Sequence, residues 1–302
     1  MKISIWLVFL LFFSISTAAQ EGFVATKGNF RLHYRIVGQG PDTLVVPDGG
    51  WQFPYYEVNS KGLVCIIYDC RNRGYSDSNP SIGLGYDVDD LEVIRRFFKI
   101  RKMNIAGWSY LGGVVALYAS KYPQHTRSVI QVGPIPLKKG EYFDSYLKST
   151  MERRSTALDL ELADLKIAGK DKNDPESYCR KFYEASLYSI LSDRNKAQDL
   201  AVNVPCNCPN ERPDTVGASI KKIFADLKDW DCSSQFTRMQ TPTLIIHGID
   251  DNIPIGSSEA WAAINNKSRL LTFNSSGHMP FAEEPERFFK SIKDFISDKE
   301  IK

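Results

Sequence analysis

Ile105-Ala106-Gly107-Trp108-Ser109-Tyr110-Leu111-Gly112-Gly113 sets a serine where an apolar run, Met103 to Ala106, gives way to a helical segment, Gly112 to Tyr122. The run reads as a buried strand, and Pro123 stops the helix. Glycines on either side of the serine permit a tight backbone turn. Such a turn pushes the hydroxyl out at the end of a sheet and leaves the next backbone N–H facing an oxygen that develops negative charge.

The chain around this junction repeats the strand-helix alternation. Residues 22 to 37 alternate as a hairpin, with Phe30, Leu32, Tyr34 and Ile36 on one face. Short buried strands are predicted at Leu44 to Val46, Leu63 to Tyr68 and Ser128 to Val132, and a helix over Asp87 to Ile100. After Pro242 come a strand, Thr243 to His247, a helix around Glu259 to Ile264, a strand, Leu270 to Phe273, and a last helix from Pro285 whose Phe288, Phe289, Ile292, Phe295 and Ile296 share one face. This is an α/β pattern, a parallel sheet wrapped on both sides. Residues 137–238 break it, being rich in charged and aromatic residues at helical spacing. They are read as a helical cap inserted into one α/β core formed by 20–136 and 239–302.

A serine hydroxyl needs a base to become a nucleophile, and the chain holds four histidines. His33 lies mid-strand, His125 at a polar helix exit and His247 at a strand end in a packing position. His278 sits in the loop Asn274-Ser275-Ser276-Gly277-His278-Met279-Pro280 after the last strand, from which it can reach the serine sideways. The strand Leu244 to His247 delivers Asp250 and Asp251 to the same sheet edge, where a carboxylate fixes the imidazole tautomer and stabilises the imidazolium.

These segments together resemble the α/β-hydrolase family, with Ser109 in the place of its nucleophile elbow. The order Ser, Asp, His along the chain is that family's order. Spacing from the family's G-x-x-D points to Asp251 as the orienting carboxylate, with Asp250 as the fallback. Leu44-Val45-Val46-Pro47-Asp48-Gly49-Gly50-Trp51 occupies the place of the family's His-Gly loop, which implies that the N–H groups of Gly50 and Tyr110 form the oxyanion hole. Tyr68-Asp69-Cys70-Arg71-Asn72-Arg73-Gly74-Tyr75-Ser76 is similar to the family's Y-D-x-R-x-x-G-x-S, its Asp and Arg bracing a loop, and Gly277 to Phe288 copies the carboxy-terminal signature. Two residues depart from the pattern: Leu111 stands where the elbow has glycine, and Asp48 where the loop has histidine. The resemblance implies a mostly parallel eight-stranded sheet with helices on both faces and an inserted helical cap. It also implies acyl transfer without metal or organic cofactor, in a layout like the prolyl aminopeptidase branch. The substrate expected is a small molecule or a short peptide, with a catalytically silent binding protein on the same scaffold as the rival reading.

Composition bounds the rest. With 302 residues, 43% hydrophobic and 25% charged, the chain is long enough for one large core. A net charge of +2 from 38 basic and 36 acidic residues supplies no field to attract nucleic acid. Met1-Lys2, an apolar run to Ile15 and Ser16-Thr17-Ala18-Ala19 have the layout of a secretory signal peptide over residues 1–19, so the mature chain is expected outside the cytoplasm with no stable membrane insertion. A retained membrane tether is the alternative for that segment. Among the six cysteines, Cys65 reads as a buried free thiol, while Cys179, Cys206, Cys208 and Cys232 cluster closely enough for one or two bridges whose pairing the sequence leaves open.

Overall fold

The computed structural model describes residues 20–227, 229–236 and 239–298; the leader expected at 1–19 lies outside them. Eight strands form one sheet: β1 (Gln20–Ala25), β2 (Arg31–Val37), β3 (Thr43–Asp48), β4 (Val64–Asp69), β5 (Met103–Trp108), β6 (Thr126–Val132), β7 (Thr243–Gly248) and β8 (Ser268–Phe273). Their order is β1-β2-β4-β3-β5-β6-β7-β8. The β1–β2 hairpin and the β2–β4 pair are antiparallel, and every later pairing is parallel.

All six residues of β5 and of β7 are buried, as strands covered on both faces must be. Alternate side chains feed two separate cores. Leu44, Val46, Ala106, Ile130 and Ile246 pack with Tyr56, Phe288 and Ile292 on one face. Val45, Ile105, Val129 and Ile245 pack with Leu91, Ile94 and Val115 on the other.

In chain order the helices of the first half are α1 (Phe53–Asn59), α2 (Leu84–Phe97) and α3 (Tyr110–Lys121). Those between β6 and β7 are α4 (Glu141–Glu152), α5 (Thr156–Ile167), α6 (Lys170–Asn173), α7 (Pro175–Tyr188), α8 (Ala197–Ala201), α9 (Pro213–Leu227) and α10 (Ser233–Phe236). The last three are α11 (Ile255–Ala263), α12 (Pro280–Glu283) and α13 (Pro285–Ile296). The five apolar residues singled out on α13 are all buried, as their spacing requires. The two ends of the helical insert are stitched together where Lys138 and Asp231 form an antiparallel bridge, flanked by Lys139 N–H to Trp230 O and Cys232 N–H to Leu137 O.

Two helix starts differ by three residues or more. α2 starts at Leu84, one turn before Asp87, because Gly83 at φ 134° supplies the entry bend and its carbonyl accepts the Asp87 N–H. α11 starts at Ile255, directly after Pro254 and four residues before Glu259. The open cysteine question resolves to one bridge, Cys179 with Cys206, which ties α7 to the segment leading to Glu211. Cys65, Cys70, Cys208 and Cys232 are free thiols.

Candidate active site

Ser109 occupies the turn between β5 and α3 with φ 57° and ψ −123°, a conformation that costs a residue with a Cβ on the order of 1 kcal/mol or more. Hydrogen bonds hold it there: its N–H donates to Val132 O at 2.8 Å, while its carbonyl accepts from Gly112 N at 2.9 Å and Ile135 N at 3.0 Å. Gly107 makes the sharp return possible, since a Cβ at that position would lie 2.1 Å from Leu111 O. Leu111 itself turns into the core beside Val114 and Val115 and is 7% exposed, so the departure from glycine leaves the turn intact.

β7 and the loop after β8 bring Asp251 and His278 together. Asp251, whose side chain is fully buried, has both carboxylate oxygens 2.9 Å from His278 Nδ1. Its Oδ1 also accepts the Ile253 N–H at 2.8 Å. With Asp251 ionised, Nδ1 carries the proton and Nε2 is the basic nitrogen of the ring. His278 is fixed through its backbone as well, by N–H to Ile190 O at 2.8 Å and by Trp108 Nε1 donating to its carbonyl at 2.7 Å. Gly133 completes the corner. A Cβ there would lie 2.7 Å from Asp251 Oδ2 and 2.9 Å from His278 Nδ1, and its φ is +47°.

The serine and the histidine thus flank one corner, Val132–Gly133, and the imidazole packs 5.0 Å from the Trp108 ring beside the serine. Their hydroxyl and imidazole are not hydrogen-bonded to each other among the described residues.

The alternatives for base and acid have other partners. His247 Nδ1 lies 2.9 Å from Ser258 Oγ, and burial holds its pKa below the usual value. His33 on β2 pairs with Asp69 on β4 at 2.9 Å, and His125 stacks on Tyr122 beside Glu92. Asp250 is exposed and takes the Ser192 hydroxyl at 2.5 Å, while its carbonyl accepts from Arg153 at the end of α4.

Across the turn, the loop after β3 is held by a buried carboxylate. Asp48 accepts the N–H groups of Trp51 (3.0 Å), Gln52 (3.1 Å) and Phe53 (3.2 Å), the donors that the amino end of α1 leaves free. Burial, with Asp69 on the neighbouring strand, pushes the Asp48 carboxyl up from its ordinary value. In place of a histidine, then, this chain has an acid that caps a short helix. Gly50 sits at φ +89°, and neither its N–H nor that of Tyr110 is taken by an acceptor among the described residues. Asp69 and Arg71 brace the next loop, Asp69 through Arg35 and Tyr75 N–H, Arg71 through a two-pronged pair with Asp90 at 2.7 Å.

Three residues at this site escaped the sequence reading. Gly133 directly follows β6; Arg153 and Glu211 come from the helical insert. Arg153 bridges Asp250 O and Leu191 O over the acid loop. Of the aromatic residues of the insert, Tyr183 packs 4.7 Å from Trp51, whose ring is in turn 5.7 Å from Trp108.

The alpha/beta hydrolase fold model matches residues 47–285, a stretch that includes Ser109, Asp251 and His278. The chain belongs to the alpha/beta hydrolase fold family. Within this family it is similar to a proline iminopeptidase from Saccharolobus solfataricus, 25% identical over 282 residues and covering 87% of either chain. It is also similar to a 2-hydroxy-6-oxononadienedioate/2-hydroxy-6-oxononatrienedioate hydrolase from Paraburkholderia phymatum, 23% identical over 291 residues, 88% of this chain and 91% of that one. Among solved structures, a meta-cleavage product hydrolase from Pseudomonas fluorescens IP01 superposes with a TM-score of 0.70 at 17% identity, covering 92% of this chain and 97% of that one. At that identity the superposition speaks for the fold.

Proposed function

We propose that this chain is an exported serine hydrolase that cleaves an ester or amide bond of a small substrate through an acyl-enzyme. Ser109 attacks the carbonyl carbon while His278 Nε2 takes the hydroxyl proton. The leaving group departs with that proton, and water then releases the acyl group by the reverse path. Asp251 keeps the imidazole in the required tautomer. The N–H groups of Gly50 and Tyr110 receive the oxyanion, which is where the transition state gains over the bound substrate.

The observation that carries this reading is the buried Asp251–His278 pair at 2.9 Å beside a serine held at φ 57°. Leu111 and Asp48, which suggested a silent scaffold, are accommodated without disturbing the turn, and this favours catalysis. Relatives named as a proline iminopeptidase and as a 2-hydroxy-6-oxononadienedioate/2-hydroxy-6-oxononatrienedioate hydrolase are consistent with a hydrolase. Export rests on the layout of residues 1–19 and on the Cys179–Cys206 bridge, which fits an oxidising compartment.

A fluorophosphonate probe tests the reading. Labelling of the folded chain that disappears in Ser109→Ala supports it; folded chain that stays unlabelled, or labelling that survives in Ser109→Ala, overturns it. Turnover of p-nitrophenyl esters against amino-acid anilides then sorts the substrate class. Glu211, the acid beside Gly50, is already paired with Arg73, so its carboxylate is not free for a substrate ammonium. Short acyl esters are therefore expected to react faster than amino-acid anilides.

A further inference from the structure

Glu211 reaches the oxyanion loop from the helical insert. It ends the short 3-10 turn Pro209–Glu211 and is 0% exposed. Its two carboxylate oxygens accept from Arg73 Nε at 3.0 Å, Arg73 Nη2 at 2.7 Å, Gly74 N at 2.7 Å and Tyr183 Oη at 3.0 Å. Four donors on two oxygens leave this buried charge fully compensated. The pair lies flat against the two glycines of the loop: a Cβ on Gly50 would stand 2.5 Å from Glu211 Oε1, and one on Gly49 would stand 3.5 Å from Arg73 Nη1.

A glycine pair, its second member at positive φ, has nothing of its own to resist rotation. Here the chain on one side of Gly50 is anchored by Asp48, through the N–H groups of residues 51 to 53. The place a side chain would fill at Gly50 is filled by the Glu211 carboxylate. The segment that delivers Glu211 is itself pinned to the core, with Asn210 Nδ2 donating to Gly74 O and Ser76 O and with Cys206 bridged to Cys179 on α7.

We infer that the Arg73–Glu211 pair is a positioning device for the Gly50 N–H, through which the helical insert sets the oxyanion hole. The inference rests on the hydrolase reading above. The glutamate supplies the packing surface that fixes Gly50, and the arginine cancels a negative charge that would otherwise oppose the developing oxyanion. Losing an oxyanion donor outright costs about 10²–10³ in kcat. Loosening one is expected to cost roughly ten- to hundredfold.

The test compares ester turnover in the full chain, its Glu211→Ala and Glu211→Gln variants, Arg73→Met, the double variant Arg73→Met/Glu211→Gln, and Asn265→Ala. Asn265→Ala removes two hydrogen bonds at the start of β7, away from the loop glycines. Expected are a kcat roughly ten- to hundredfold lower in Glu211→Ala with KM within about threefold, an unchanged pH profile of kcat/KM, and Asn265→Ala close to wild type. Arg73→Met, which leaves the carboxylate uncompensated, should fall below the double variant, which buries no net charge. If Glu211→Ala fails to fold, Glu211→Gln and the order of Arg73→Met and the double variant decide the matter.

Folded Glu211 variants with kcat within twofold of wild type overturn the inference. So does a loss confined to KM, or an equal loss in Asn265→Ala. A wild-type chain that no fluorophosphonate labels overturns the hydrolase reading itself, so the two failures are distinguishable.

Discussion

On the β7–β8 side of Ser109 the buried carboxylate Asp251 faces a titratable partner, His278, whereas on the β3–β4 side Asp48 and Glu211 are spent on backbone N–H groups, a tyrosine and an arginine. All three are fully buried acids within one site. What separates them is the partner. An imidazole can gain or lose a proton near neutral pH, so its carboxylate can support proton transfer. Backbone amides and a guanidinium cannot, so their carboxylates fix geometry only. Burial of an acid near Ser109 therefore says little about its role until its donors are counted.

The strongest way to break this contrast is to remove the members of the mobile-proton side. His278→Ala and Asp251→Asn are each expected to lower kcat on the order of 10⁴-fold, with the double variant little worse than either, since the pair acts as a unit. Asp250→Asn and His247→Ala, whose partners are Ser192 and Ser258, should stay within a few-fold of wild type. Steady-state ester kinetics on the four variants and the double variant check this. Equal losses for Asp250→Asn and Asp251→Asn would mean that the wrong carboxylate has been assigned to the histidine.

The same contrast explains what could be read from the sequence. Asp251 and His278 each follow a strand within a few residues, so strand periodicity plus a polar residue at its exit was enough to bring both to one edge. The eight strands and the burial of one face of α13 were legible for the same local reason. Glu211 was not, because its donors Arg73 and Gly74 lie 138 and 137 positions away and no short-range pattern links them. α1 was missed because seven residues with only Tyr56 buried carry almost no periodic signal, and its capping acid, Asp48, stands five positions before the first helical residue. The Cys179–Cys206 pairing likewise needed the fold of α7 to choose between neighbours two residues apart.

A smaller effect probes whether the β3–β4 side is as static as its hydrogen bonds suggest. The Cys179–Cys206 bridge spans 27 residues, and loop closure of that order contributes about 3 kcal/mol. Urea unfolding with and without a dithiol reductant, or in Cys179→Ser, should show a loss of that size. Cys232→Ser, which removes a half-buried free thiol, should not. An unchanged midpoint after thiol counting has verified reduction would mean that Asn210 and the Arg73–Glu211 pair hold the segment unaided.

The smallest expected effect concerns an acid whose static role ends near neutral pH. Asp87 on α2 accepts the Tyr110 hydroxyl at 2.8 Å, so it sits behind the residue whose N–H is proposed to meet the oxyanion. Burial raises its pKa to about 7, with Asp90 and Asp226 adding to the rise and the Tyr110 hydroxyl and Arg71 opposing it. An unfolded carboxyl titrates near ~3.9. Between those values the folded chain binds the proton more tightly than the unfolded one, so the contribution to stability is full below about pH 4 and is lost as pH rises through about 7. Asp87→Asn keeps an oxygen for Tyr110 and cannot ionise, so its stability relative to wild type should climb with pH. Over the interval from pH 5 to 8 the gap should widen by about 2 kcal/mol, most of it below neutrality, as read by urea midpoints at each pH. A gap constant across that interval would mean that Asp87 is ionised throughout and belongs with Asp48 and Glu211 among the acids whose charge is held fixed.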